Sequence, residues 1–494
     1  MSHYLLVIDE GTTSTRAIVF DRSLSQIALA QEEIDLTYPE DGWVEQDGVA
    51  IWEGTLRVCQ QVIEAVGGVD QIAGIGITNQ RETTLIWNRD TLEPIAPAIV
   101  WQDRRTADRC EVMKEEGHEP RITDLTGLLL DPYFSGTKIG WLLDNATGAR
   151  AQAEAGELAF GTIDTYLIAC LTGGRVHATD ATNASRTLLA TLGLGADGGW
   201  SDELCELLNV PNSLLPDIRP SRDHFGMTDP ALFGKALPIL SAIGDQQAAL
   251  VGQGCLNPGQ AKITYGTGAF LVANTGLEKP VSENRLLGTI GVDLKDSAAF
   301  ALEGSIFNAG TVTKWLRDQM GFIVSAEESE QLAMSVPSTE GVYVVPAFTG
   351  LGAPYWNASA RGQISGLTRD SGPAHIVRAG LESAGYQTRD LLDAFKADGA
   401  EVSVLKVDGG MANNDLVLQF IADICDLPVE RPDYTEMTAL GAAALAAMEL
   451  GWFSSSEWAT KERAVTRFEP AMSEEARDRL YAGWQRAVRG CLVT

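Results

Sequence analysis

The residues of this sequence that could do chemistry stand in short polar clusters, each set between β-prone apolar runs. In VIDEGTTSTRAIVFD at 7–21, Gly11, Thr12, Thr13, Ser14 and Arg16 fill the turn between two such runs. Glycine lets backbone amides approach a ligand, hydroxyls add short donors, and an arginine fork suits phosphate oxygens. The segment therefore has the make-up of a phosphate grip, although an ordinary hairpin turn would use similar residues. Asp9, at the end of the first run, could organise a metal. IAGIGITNQRETTLIWN at 72–88 holds Asn79, Gln80, Arg81 and Glu82 in the same way. Arg81 and Glu82 read either as an ion pair satisfying itself or as a fork gripping a hydroxylated ligand from donor and acceptor sides.

GDQQAALVGQ at 244–253 places Asp245 directly after a strand and at a helix start. That is the position of a plain N-cap, or of a general base kept ionised by the helix terminus and aimed at a substrate hydroxyl. Low basicity is tolerable in phosphoryl transfer, whose loose transition state needs positioning more than early deprotonation. DPYFSGTK at 131–138 offers the Tyr133 hydroxyl, or simply a turn opening a helix. VLKVDGGMANND at 404–415 has the shape of a shelf for adenine or ribose, or of an ordinary βα turn. In EGSIFNAGTVTKWL at 303–316, Gly310 falls on a helix-like stretch where a side chain would block close approach.

The elements that must position these clusters repeat. QAKITYGTGAFLVAN at 260–274 echoes the first strand-turn-strand unit half a chain later, with Gly266, Thr267 and Gly268 in its turn. With strands and helices alternating in both halves, duplicated α/β domains facing each other across a cleft are predicted. A chain of 494 residues, 45% apolar, also exceeds what one core normally organises. The boundary is expected within 245–258, giving domains 1–250 and 251–494 with a substantial interface and hinge motion at the helix between them. TALGAAALAAMELG at 438–451 predicts a small-residue core helix, and the charged stretch at 468–490 a solvated one.

The net charge of −30 would repel nucleic acid and anionic membranes, while an anionic nucleotide could still be held by local amides, a metal and a few basic side chains. Seven scattered cysteines without a C-x-x-C pair argue against a disulfide framework or structural zinc and predict reduced thiols in the cytosol. No apolar run is long enough to span a bilayer, so a soluble cytoplasmic protein is expected. The G-x-G-x-x-G at 193–198 reads as a connector, and P-loop, G-x-S-x-G and H-E-x-x-H motifs are missing from the sequence.

Taken together, DEGTT, TNQRETT, IVWQDRR at 99–105, DPYFSGTK, GDQQAAL, YGTGAF, PAFTGLGAPYW at 346–356 and VDGG closely resemble the glycerol kinases of the FGGY carbohydrate kinase family. The resemblance spans nearly the whole chain. It implies an α/β fold of two ribonuclease-H-like domains, of the actin and sugar-kinase type, with an ATP cleft between them. It also implies ATP-dependent phosphorylation of glycerol to sn-glycerol 3-phosphate, with Mg2+ required and a dimeric or tetrameric assembly. By resemblance, Asp245 is the general base, and Arg81, Glu82, Tyr133 and Gln246 hold the hydroxyls. Trp101 and Phe270 pack against the carbon backbone and exclude water. Thr12, Thr13, Ser14, Arg16 and Thr267 clamp phosphates, and Asp9 orients the magnesium shell through water. Gly310, Lys314, Gly410, Met411 and Asp415 fall where the family contacts the nucleotide.

The departures from the family pattern are specific. Glu10 stands where Gln is usual and is expected to put an additional negative charge beside the phosphates. Lys314 and Asp415 stand where many members have Gln and Asn. The loop at 228–236 lacks the Gly-rich form linked to sugar-phosphate inhibition. A kinase for another small polyol or sugar, and a non-catalytic actin-like nucleotide switch, are the competing readings.

Overall fold

The opening hairpin forms where its sequence predicts one. Strands Tyr4–Glu10 and Ser14–Phe20 pair antiparallel from Leu5↔Phe20 to Glu10↔Thr15, and the Gly11 N–H closes the turn on the Ser14 carbonyl at 3.0 Å. In the computed structural model, which describes residues 3–357 and 359–492, this hairpin is the centre of a five-stranded sheet. Gln26–Glu33 continues it antiparallel on one side, while Ile72–Asn79 and Ile239–Gly244 continue it parallel on the other.

The second hairpin, Ala261–Tyr265 with Ala269–Gly276, is built into a seven-stranded sheet in the same way. Ala298–Ile306 extends it antiparallel, and Leu405–Asp408 and Val429–Pro432 extend it parallel. One further antiparallel strand lies at each edge, Leu287–Asp293 and Val465–Phe468. Three antiparallel strands followed by two parallel ones, in the same order, recur in both sheets. The fold is thus the duplicated α/β arrangement expected from the two hairpins, in the ribonuclease-H-like form that the family resemblance implies.

Strand alternation decides which face each residue of Tyr4–Glu10 serves. Leu6 and Ile8 pack against Ile51 and Val58 of helix Gly48–Ala65, whereas Leu5 and Val7 pack against helix Met437–Glu449. Asp9 therefore belongs to one face and Glu10 to the other. Met437–Glu449 comes from the second half of the chain, yet it closes a face of the first sheet. It crosses helix Asp245–Gly252 so tightly that a Cβ at Gly441 would fall 1.8 Å from the Ala248 carbonyl oxygen, and one at Gly252 would fall 2.1 Å from that of Met437. Ser241 Oγ also donates to the Ala442 carbonyl at 3.0 Å. Small side chains at 438–447 are what allow the approach.

The last helix, Glu474–Leu492, departs from the solvated helix expected of its charges. Tyr481, Trp484, Ala487 and Val488 form a buried stripe, and Tyr481 Oη and Trp484 Nε1 donate to Asp390 at 2.7 and 2.8 Å. The residues at helical spacing outweigh the alternating charges, which occupy the outer face. Among the described residues no helix is long and apolar enough to cross a membrane, and no disulfide links any of the seven cysteines.

Candidate active site

Asp245 sits where strand Ile239–Gly244 gives way to helix Asp245–Gly252. The N-cap is Gly244 and makes no side-chain capping bond, so Asp245 is the first helical residue rather than a plain cap. Its side chain is about one-third exposed, at 32%. The Gln246 backbone N–H donates to Oδ1 at 2.7 Å, Gln246 Nε2 donates to Oδ2 at 3.1 Å, and Arg81 Nε lies 3.2 Å from Oδ1. An accessible carboxylate is thus held by donors on both oxygens.

Arg81 and Glu82 do not satisfy each other. Arg81 Nε is 4.0 Å from Glu82 Oε1, and each residue has a better partner elsewhere. Arg81 donates through Nη1 and Nη2 to Glu303 at 2.5 and 3.1 Å. Glu82 accepts from Arg186 Nε at 2.7 Å, and Arg186 Nη2 reaches Glu303 at 2.9 Å. Glu303 lies inside strand Ala298–Ile306 of the second sheet, so this buried network of two arginines and two glutamates joins the halves of the molecule. Burial acts to raise the Glu303 carboxyl, but the Arg186 and Arg81 charges outweigh it and hold it down to about 2. For Glu82 burial wins, and its carboxyl is raised. The backbone at Glu82 has φ 59°, a left-handed conformation rare for a residue with a Cβ, and Ser135 Oγ and Thr84 Oγ1 hold its carbonyl at 3.0 and 2.9 Å.

Aromatic rings border this polar floor. Trp101 makes edge contacts with Tyr133 and Phe270, at 5.7 and 6.0 Å between centroids, and its Nε1 donates to Thr12 Oγ1 at 2.9 Å. The Arg81 guanidinium lies 5.9 Å from the Phe270 ring, and that of Arg186 lies 5.6 Å from Tyr133. Arg81, Glu82, Trp101, Tyr133, Asp245, Gln246 and Phe270 are therefore brought to one place, as expected. Arg186 and Glu303, which the sequence reading missed, belong with them. A glutamate in the apolar run AAFALEGSI was the available signal, because a charge within a buried strand requires a partner.

The second hairpin caps helix Gly310–Asp318, where the residues expected to contact a nucleotide lie. The Thr267 carbonyl accepts from the Ala309 N–H at 3.0 Å and from Thr311 Oγ1 at 2.9 Å, and the Gly310 N–H donates to the Gly266 carbonyl at 3.0 Å. A Cβ at Gly310 would stand 2.5 Å from that carbonyl oxygen, which explains the glycine. Gly409, at φ 91°, is pressed equally closely on Tyr265, so Gly410 and Met411 in the turn Gly410–Asn413 lie beside the end of the same hairpin. Lys314 is one turn further along helix Gly310–Asp318. Asp415 opens helix Asp415–Cys425 and is held by Arg431 at 2.7 Å.

Arg16 bridges two carboxylates, pairing with Asp9 and, at 2.5 Å, with Glu436 at the head of helix Met437–Glu449. Glu436 also escaped the sequence reading. Asp9 is buried, which raises its carboxyl against the opposing charge of Arg16. Among the described residues no group of three or more His, Cys, Asp or Glu side chains could hold a metal ion alone. A magnesium ion commonly needs only one or two carboxylates when substrate phosphates and water complete its shell, so the residues at Asp9 fit such an ion.

Glu10 corrects the charge expected beside the phosphates. Its side chain points to the opposite sheet face, where Thr55 Oγ1 donates to Oε2 at 3.0 Å and Oε1 has no partner. Burial pushes its carboxyl up to about 8, so at neutral pH it is an uncharged acid in the shape of a glutamine. An unfolded glutamate ionises near 4.5; the folded state loses stability as pH rises from there through about 8, by about 1.4 kcal/mol per unit. Glu10→Gln is therefore expected to leave stability unchanged near pH 4.5 and to raise it by about 3 kcal/mol near pH 7. Denaturant midpoints at pH 5 and 8 measure this, and an equal shift at both would contradict it.

Comparisons with known proteins agree on a family. Residues 4–252 match the N-terminal domain of the FGGY family of carbohydrate kinases, and residues 261–450 match its C-terminal domain. "Glycerol kinase 1" of Pseudomonas aeruginosa is 53% identical, covering 99% of both chains. The glycerol kinase of Rhodospirillum centenum is 54% identical, over 98% of this chain and 97% of its own. Among solved structures, Plasmodium falciparum glycerol kinase with ADP superposes with a TM-score of 0.91 at 35% identity, covering 99% of this chain and 98% of that one.

Proposed function

The chain belongs to the FGGY family of carbohydrate kinases, and from that membership we infer that it transfers the γ-phosphoryl group of ATP to a terminal hydroxyl of glycerol, giving sn-glycerol 3-phosphate and ADP. Identity above 50% to glycerol kinases from end to end is the observation that carries this reading. The site supplies its chemistry. Asp245 takes the hydroxyl proton as the glycerol oxygen bonds to phosphorus and the bond from the γ-phosphorus to the bridging oxygen breaks. Arg81, Glu82, Tyr133 and Gln246 orient the three hydroxyls from both donor and acceptor sides, and Trp101 and Phe270 cover the carbon chain and keep water from competing. Arg186 and Glu303 hold Arg81 and Glu82 in position.

Thr12, Thr13, Ser14, Arg16 and Thr267 line the phosphates in this reading, and Gly310, Lys314, Gly410, Met411 and Asp415 take the nucleoside. Arg16 would exchange a carboxylate partner for phosphate oxygens. Asp9 would hold magnesium through water, and the ion, when bound, would neutralise phosphate charge. We take 1–250 and 251–494 as the two domains, closing about the helix Asp245–Gly252, and expect a dimer or tetramer. Seven cysteines without a disulfide favour the cytoplasm.

A coupled assay of ADP release against a panel of polyols and ketoses tests the reaction. Glycerol should raise turnover far above the polyol-free rate. A higher kcat/KM for a pentulose would replace glycerol with a sugar, and a slow ATPase indifferent to every polyol would mean a nucleotide switch.

A further inference from the structure

Strand Ala261–Tyr265 of the second sheet buries a lysine ammonium beside the catalytic helix, and among the described residues Lys262 takes part in no ion pair. Its Nζ donates to Gln246 Oε1 and, at 2.9 Å, to Thr264 Oγ1. We propose that Lys262 is a positioning residue for phosphoryl transfer, which fixes the side-chain amide of Gln246 so that its NH2 faces the Asp245 carboxylate. The proposal rests on the reading of Asp245 as the base.

The argument is one of donors and acceptors. An ammonium has hydrogens to give and no lone pair to accept with, so the group of Gln246 that faces it must be the carbonyl oxygen. The amide nitrogen is then turned to Asp245 Oδ2, where it sits at 3.1 Å. A flipped amide would set two oxygens against each other on one side and two donors on the other. With Oδ1 already held by the Gln246 N–H and Arg81, fixing Oδ2 leaves the carboxylate one orientation in which to receive a proton. A chemically ambiguous amide thereby becomes an aimed one.

The same strand face ties down the far end of the helix. Thr264 pairs in register with Asp408, which accepts from Gln253 Nε2 at 2.9 Å, and Lys406 Nζ donates to the Gln253 carbonyl at 2.8 Å. Both ends of Asp245–Gly252 are thus strapped to the second sheet, through Gln246 and through Gln253, while strand Ile239–Gly244 joins the same helix to the first. Burial brings the Lys262 ammonium down to about 8; Asp408, Asp245 and Glu303 favour its charge, and Arg81 opposes it.

Lys262→Met and Lys262→Gln test the proposal by kcat, KM and the pH dependence of kcat, with ADP-induced thermal stabilisation reporting folding. The methionine variant is expected to lose at least about tenfold in kcat with little change in KM for ATP. The acid limb of its kcat profile should move to higher pH, because the base loses an oriented donor and a nearby positive charge. The glutamine variant keeps a donor for Gln246 and should recover part of kcat while retaining the shifted limb. A methionine variant with wild-type kcat would overturn the proposal; if that variant did not fold, a folded glutamine variant with both wild-type kcat and an unmoved acid limb would overturn it. Wild-type protein lacking glycerol-dependent turnover would instead remove the reaction itself, and this role with it.

Discussion

Asp245→Asn is expected to lower kcat for glycerol phosphorylation by about 10² to 10⁴, the usual contribution of a positioned general base, while ADP affinity stays within about twofold. The substitution preserves the shape of the side chain and removes its capacity to take a proton. It also sets a neutral group 3.2 Å from Arg81 Nε where a carboxylate oxygen stood. The residues proposed to take the nucleoside gather around Gly266, Gly310 and Gly410, beside the second hairpin, so binding and turnover should separate cleanly. Steady-state kinetics and ADP titration by calorimetry make the comparison. Wild-type turnover in the variant would eliminate Asp245 as the base, and loss of ADP binding would assign it to the nucleotide instead.

Glu303→Gln is expected to destabilise the fold by about 3 to 5 kcal/mol, as does removal of one partner from a buried ionic cluster. Arg81 and Arg186 both rely on this carboxylate, and without it Glu82 and the partly exposed Asp245 would face two buried guanidinium groups. The pH dependence has a definite sign. A carboxyl held down to about 2 in the folded chain, against 4.5 when free, stabilises fully above 4.5 and loses that contribution as pH falls through 2. The gap between wild type and variant should therefore be constant from pH 6 to 8 and begin to narrow below 4.5. Urea unfolding across this range measures it. KM for glycerol should rise as well, because Arg81 loses the partner that holds its Nη atoms.

What the sequence made legible was governed by local pattern. Both hairpins, the strand and helix around Asp245, and the turn at Gly409 were readable because apolar runs and turn residues determine them within a few positions. Arg81, Glu82 and Asp245 were visible because charges interrupt apolar strands there. Glu303 and Arg186 were missed for a nonlocal reason: their partners are 104 residues away in the chain or more distant still, and only the folding of the two sheets against each other brings them together. Glu10 was different. Its face follows from strand period two, which places it with Leu6 and Ile8 and opposite Asp9, so its orientation could have been read from sequence. Reading its charge from its place in the family motif, without the side of the strand, put it beside the phosphates.

The crossing of Asp245–Gly252 and Met437–Glu449 also has a consequence for biosynthesis. A ribosome releases the opening hairpin and its sheet first, yet the face carrying Leu5, Val7, Ile18 and Phe20 waits for a helix encoded in the final eighth of the chain. Until that helix emerges, the nascent N-terminal half has an uncovered apolar surface, and it cannot complete its core as an independent folding unit during translation. Maturation is therefore committed late. A chain stopped short of residue 436 would leave the ribosome with its first sheet open and its Arg16 without Glu436, a substrate for chaperones rather than half an enzyme.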